Sequence, residues 1–208
     1  MTNTATELTI DNSAVVLIDH QPWVASMLQT DGNALLDNVT LLARAAKLLE
    51  VPTVLTTVGA EGGPLPDPIF TQISDVFPDI TPIDRTTTAA WSDPDVRAAV
   101  EATDRRKLIM AGLSTEVCLA QTVLAALKDG FEVYFASDCS AGVTVEGHED
   151  GKARMIQAGA VPINVSVVIS EWTPDYTSPE RALLTEPMIR HGGTISMAVQ
   201  YVMAQNKA

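Results

Sequence analysis

The 208-residue chain is short of the residue types on which several function classes are built. It has two cysteines, Cys118 and Cys139, too few for a disulfide framework, so a reducing cytoplasm is the simplest setting. Thirteen Lys and Arg face 26 Asp and Glu, a net charge of -13 that argues against a nucleic-acid partner and against docking on anionic membranes. The three histidines, His20, His148 and His191, lie in separate segments without H-x-H or H-E-x-x-H spacing, so neither a metal nor another cofactor is expected. No apolar run approaches the roughly 20 residues that span a bilayer. The opening "MTNTATELTIDNS" has neither the basic nor the apolar region of a signal peptide. G-x-G-x-x-G, P-loop and G-x-S-x-G motifs are all missing.

What is present is a regular alternation of strand and helix signals. Short, β-branched runs read as buried parallel strands at Ala14–Asp19, Val51–Val58, Ile80–Arg85, Lys107–Gly112, Phe131–Asp138 and Ala160–Val165. Between them, Leu35, Val39, Leu42, Ala46 and Leu49 recur at helical spacing. A short helix is expected near Ile69–Val76, after the breaker-rich "GAEGGPLPDP". Asp93 followed by Pro94 reads as a cap and first turn for a helix through Glu101. Thr115–Lys128, closed by Gly130, and Glu146–Ala158, closed by Gly159, complete the crossovers. The remainder reads as helices, Ile195–Gln205 being the clearest. The expected fold is α/β: one domain over residues 1–208, a six-stranded parallel sheet covered on both faces by right-handed crossovers, with residues 178–208 a helical extension.

In doubly wound sheets, ligands bind beyond the carboxyl ends of the strands, where strand order reverses. If the order is 3-2-1-4-5-6, strands one and four are neighbours there, and a carboxylate (Asp19) meets a thiol (Cys118). Asp19 reads either as a turn residue or as a base. Cys118 reads either as a small core residue or as a nucleophile in the first turn of a helix, where free amides and the dipole favour a thiolate. The small, polar "GLSTE" before it suits a loop whose amides face a ligand. Arg85, ending the third strand, reads as a solvated side chain, as a fixed cation beside the thiolate, or as an anchor for a substrate carboxylate. Cys139 reads as structural, and His20, directly after Asp19, as pointing to the opposite face. Trp23, Trp91 and Trp172 are candidates for substrate-binding walls or for plain core, and "GAEGGPLPDPIF" for a rim.

The segments "VVLIDHQ" and "AGLSTEVCLAQTVLAALKDGFEVYFASDCSAG", with "INV" after "QAGAVP", resemble the isochorismatase-like cysteine hydrolases, which include nicotinamidases, N-carbamoylsarcosine amidohydrolases and isochorismatases. They are most similar to the YcaC-like branch, over about residues 12–175. The resemblance implies a Rossmann-like three-layer α/β/α sandwich and an Asp–Lys–Cys catalytic set. Carried over, the set is Asp19, Arg85 and Cys118, arginine standing where most relatives have lysine and where the YcaC-like branch also has arginine. It implies a cis Leu113–Ser114 peptide and an oxyanion hole of the Ser114 and Cys118 amides. The expected activity is hydrolysis of a C–N bond of a small molecule through a thioester; the alternative is a catalytically weak binding or assembly protein of the same fold. Nicotinamidases carry metal-binding histidines after the aspartate, and no histidine occurs from Gln21 to Pro68. The branch also implies a homo-oligomer, of the order of an octamer.

Overall fold

The computed structural model describes residues 7–61 and 67–205, and the side chain of Ile195 is outside that description. Residues 62–66 of the expected rim loop therefore lie outside the described residues. In chain order the elements are β1 (Ser13–Ile18), α1 (Pro22–Ser26), α2 (Gly32–Leu48), β2 (Thr53–Val58), α3 (Thr71–Ser74), β3 (Ile83–Arg85), α4 (Pro94–Glu101) and β4 (Lys107–Gly112). A π turn (Thr115–Leu119) then leads into α5 (Ala120–Lys128), β5 (Glu132–Ala136), α6 (Val145–Gln157), β6 (Val161–Ile163), α7 (Val165–Trp172), α8 (Pro179–Leu183), α9 (Thr185–His191) and α10 (Thr194–Gln205).

The six strands form one parallel sheet in the order β3-β2-β1-β4-β5-β6. Every residue of β1 and β4 is buried, as expected of central parallel strands covered on both faces. Alternation divides the core. Ala14, Val16 and Ile18 join Leu108, Met110, Val133 and Phe135 against Val96 and Val100 of α4 and Val123 and Ala126 of α5. Val15 and Leu17 join Leu55, Ile109 and Ala136 against Val39 and Leu42 of α2, Val168 and Ile169 of α7 and Met188 of α9. This is the three-layer sandwich that the alternating signals imply.

Local chemistry sets the element ends. The Asp31 carboxylate accepts from the Asn33 and Ala34 amides at the start of α2, and Asp93 accepts from Asp95 and Val96 at the start of α4. Gly130 closes α5 at φ +82°, a conformation that costs side-chain-bearing residues more. Several expected bounds shift. β3 begins only at Ile83, because Pro82 has no N–H to give a ladder. β6 stops at Ile163, because the Asn164 side chain caps α7 by accepting from the Val167 amide. β1 stops at Ile18, because Asp19 turns into the left-handed region at φ +56°. The expected continuous helix Thr115–Lys128 begins instead with the π turn, closed by the Leu119 N–H donating to Ser114 O at 3.1 Å.

The π turn packs against α6 through glycines. A Cβ on Gly151 would lie 2.9 Å from Glu116 Cα and 3.1 Å from Glu116 N, both backbone atoms. Helix propensity alone favours Gly151→Ala by about 1 kcal/mol. Overpacking against backbone outweighs that, so Gly151→Ala is expected to destabilise the fold by a net 1–3 kcal/mol or so in urea denaturation. A rise in stability would mean that α6 and the π turn separate easily.

Candidate active site

The carboxyl ends of β1, β2 and β3 deliver Asp19, Thr56 and Arg85 to one point. Asp19 follows β1 directly; its N–H donates to Thr56 O at 3.1 Å, and its own carbonyl accepts from the Gln21 N–H at 2.7 Å. This tight turn swings the Asp19 carboxylate back over the sheet edge. Arg85 Nη1 donates to Asp19 Oδ1 and Nη2 to Oδ2, each at 2.7 Å, and both side chains are closed to solvent. The Thr56 hydroxyl donates to Oδ1 at 3.0 Å. The remaining Nη hydrogens of Arg85 go to Thr57 O at 2.8 Å and Thr88 O at 3.2 Å. Fork-to-carboxylate geometry of this kind requires arginine; an ammonium cannot reach both oxygens in one plane. The solvated-arginine and substrate-anchor readings of Arg85 do not describe this geometry.

Cys118 sits on the π turn after β4. The preceding Leu113–Ser114 peptide is cis. The Asp19 carboxylate, the Arg85 guanidinium and the Ser114 amide all act on the Cys118 thiol. Burial pushes the Cys118 thiol up to about 12, the Asp19 charge adding to the effect, while Arg85 and the Ser114 amide pull the other way. Arg85 favours the thiolate as expected, but burial and the Asp19 charge outweigh it, so the thiol rests protonated.

Two supports were not legible in the sequence. The first is the Glu116 carboxylate, which accepts from the Val143 N–H at 2.8 Å and lies where Cβ atoms on Gly142 and Gly147 would fall 2.8 and 2.7 Å from its oxygens. That places an anion at the N-terminus of α6, a favourable position in the helix field. The Thr115 hydroxyl, one residue earlier, pairs with His148 Nδ1 of α6 at 2.9 Å. Together they hold the Cys118 turn to α6. In the sequence Gly142, Gly147 and Gly151 follow Glu116 only at a distance, so no local spacing announces the contact. The second is Gln21, whose side chain accepts from Val58 N at 2.8 Å and donates to Asp67 O at 2.7 Å, tying α1 to the end of β2 and to the loop beyond it.

The tryptophans separate. Trp23 is half-exposed on α1, its backbone N–H donating to the Asp67 carboxylate. Trp91 and Trp172 are not substrate walls. The Trp91 indole donates to Asp129 at 2.8 Å and packs edge-on to Phe131, at the C-terminal end of α5, about 16 Å along the helix from Cys118. The Trp172 indole donates to Ser13 at 3.0 Å, at the amino end of β1, about 20 Å of strand from Asp19. In both cases the buried indole N–H found a partner, and the partner lies at the far edge of the sheet. Cys139 is fully buried, as expected of a structural residue. Among the described residues, no three His, Cys, Asp or Glu side chains gather closely enough to hold a metal ion.

With this geometry in view, the isochorismatase domain family model matches residues 13–167. The chain belongs to the isochorismatase family. It is 33% identical to the probable hydrolase YcaC of Escherichia coli (strain K12) over 187 residues, 89% of each chain. It is 28% identical to the secreted isochorismatase effector Isc1 of Phytophthora sojae (strain P6497) over 153 residues, 72% of each. Among solved structures, YcaC from Pseudomonas aeruginosa with hexane-2,5-diol and covalent acrylamide superposes with TM-score 0.89 at 30% identity, over 97% of this chain and 99% of that one. The Escherichia coli YcaC structure, an octameric hydrolase of unknown specificity, superposes with TM-score 0.90 at 30% identity, over 98% and 100%. These likenesses place the chain in the YcaC-like branch of the family and make it an isochorismatase-family hydrolase.

His20 supplies a pH-dependent constraint on this edge. It is fully buried, with Nε2 2.9 Å from Cys139 O, and Nδ1 has no partner among the described residues. Burial lowers it from 6.5 to about 4, so at neutral pH the ring is uncharged and Nε2 carries the proton donated to Cys139 O. The unfolded chain takes up this proton at pH 6.5 and the native fold only near 4, so stability is full above pH 6.5 and falls as pH drops toward 4. The gap corresponds to about 3 kcal/mol. Urea denaturation between pH 7 and 4 is expected to show that loss, and His20→Gln to flatten it; an unflattened profile would assign the acid sensitivity to other groups.

Proposed function

We propose that the chain is a cysteine-dependent hydrolase that cleaves an amide-type C–N bond of a small molecule through a thioester. The observation that carries this reading is an Asp19 carboxylate, held bidentately by Arg85, whose charge acts on the Cys118 thiol together with the Ser114 amide. The covalent acrylamide of the Pseudomonas aeruginosa relative supports it, because acrylamide is an electrophile that thiolates capture.

The S–H proton passes to Asp19 as the sulfur attacks the substrate carbonyl carbon. The carbonyl π pair moves onto oxygen, and the Ser114 and Cys118 N–H groups stabilise that charge. When the pair returns, the C–N bond breaks, and the nitrogen leaves with the proton from Asp19. Arg85 stays charged throughout, so Asp19 alone carries the proton. Water then gives a proton to Asp19 and attacks the thioester; the C–S bond breaks, releasing the acid and returning the proton to sulfur.

Cys118→Ala is expected to abolish ammonia release from any amide the wild type turns over, and Asp19→Asn to lower kcat by about 10²–10⁴-fold with the fold kept by circular dichroism. Unchanged turnover in the cysteine variant would overturn the reading. The resting protonated thiol also favours the second reading, a binding or assembly protein with a relic site. In that case no small amide or urea in an ammonia-release screen would be turned over.

We also propose a homo-oligomer. The Escherichia coli relative is octameric, and α10 leaves Met197, Tyr201 and Val202 exposed. Light scattering is expected to give a mass several times the 22.2 kDa of one chain; a monomer would contradict it.

A further inference from the structure

Exposed apolar side chains from three separate elements gather at the sheet edge that carries the site, as a collar. Trp23 and Met27 come from α1 and its C-terminal end, Val117 from the π turn beside Cys118, and Val143 and Val145 from the start of α6; their exposures run from 36% at Val117 to 59% at Val145. Backbone bonds draw these elements to one edge. Gln29 N–H donates to Gly142 O at 3.0 Å, and Val143 N–H donates to Glu116 at 2.8 Å. Beneath the collar, Val24, Leu35, Leu113 and Ala141 form a small buried cluster of their own.

Among the described residues, the charged groups acting on Cys118 leave no unbalanced positive charge. The charged groups acting on Cys118 are Asp19 and Arg85, which neutralise one another. All four Nη hydrogens of Arg85 are engaged. The remaining donor, Nε–H, is buried without a partner among the described residues and belongs to a cation already balanced, so it suits a neutral acceptor. Lys152 of α6, the helix that begins at Val145, is paired with Glu149 at 2.9 Å. Glu116 adds a carboxylate two residues from the thiol, and the chain as a whole carries -13. An anionic substrate would lose hydration here without gaining a counter-ion.

We infer that the site takes uncharged amides with short aliphatic or aromatic substituents and rejects those bearing a carboxylate. This deepens the hydrolase reading and rests on it for the chemistry, but the charge discrimination belongs to the thiol's surroundings and is measurable without turnover.

The test compares Cys118 alkylation by iodoacetamide and by iodoacetate in the intact protein. In each case an S–C bond forms, iodide leaves, and the thiol proton passes to Asp19 or solvent. The two reagents differ in charge and little in size. The ratio of their rate constants, divided by the same ratio for N-acetylcysteine at the same pH, is expected to be about tenfold or more, and Val117→Lys, which puts a cation at the mouth, is expected to narrow it. Peptide mapping assigns the label, since Cys139 is fully buried. A normalised ratio near one overturns the inference. So does a large ratio that Val117→Lys leaves unchanged, which would mean that the collar is covered by another copy of the chain and does not face the reagent. In turnover, butyramide and benzamide are expected to exceed oxamate and N-carbamoylglycine in kcat/KM, and the reverse order overturns the inference. Discrimination in alkylation with no amide hydrolysed would refute the hydrolase reading and leave the charge selectivity standing.

Discussion

Asp19 and Arg85 meet through two 2.7 Å hydrogen bonds with both side chains shut off from solvent, and the arrangement of the carboxyl edge follows from that pair. Two charges withdrawn from water are stable only when each is balanced and every donor and acceptor is filled. Thr56, Thr57 O and Thr88 O provide the filling, so the ends of β1, β2 and β3 and the loop after β3 are held to one geometry. Removing either partner would leave a bare buried charge, a far larger penalty than the loss of a surface ion pair. The left-handed Asp19 is part of the same constraint: a carboxylate continuing β1 in extended form would project to one face of the sheet and not across its edge.

The thiol is placed by a second set of contacts on the other side of the switch point. β4 ends at Gly112, the chain turns at Leu113–Ser114, and the π turn presents Cys118 between Asp19 and the Ser114 amide. Glu116 and Thr115 fasten that turn to α6, and three glycines give the acid room. Burial and the neighbouring carboxylate outweigh Arg85, so the sulfur keeps its proton at rest. Asp19 and Arg85 balance one another, so the pair beside the protonated thiol is neutral.

Much of the sheet was readable because parallel strands buried on both faces must be continuous apolar runs. "AVVLID" and "KLIMAG" allow little else, and alternation with Leu35–Val39–Leu42–Ala46 makes crossovers the natural connection. The edges were less readable, because strand ends are decided by individual groups: Pro82 withholding an N–H, Asn164 capping α7, Asp19 leaving the β region. For the site, Asp19, Arg85 and Cys118 were identifiable as a set from their places at strand ends and from the resemblance around Cys118. Trp91 and Trp172 misled for a plain reason. A tryptophan near a site residue in sequence has a ring several ångströms long and an N–H that seeks its own partner, and here the partners are Asp129 and Ser13 at the opposite edge.

The sequence by itself determined the architecture, the family, and which three side chains could share the switch point, because hydrophobic periodicity and strand order are properties of the chain pattern. Only the tertiary structure decided what those side chains do to one another. Whether Arg85 is a free cation or a saturated clamp depends on distances of tenths of an ångström to Asp19, Thr57 O and Thr88 O. Whether Cys118 rests as thiolate or thiol depends on the balance of burial against two opposite charges. These are sums over neighbours brought from distant positions in the chain, and local sequence does not carry them.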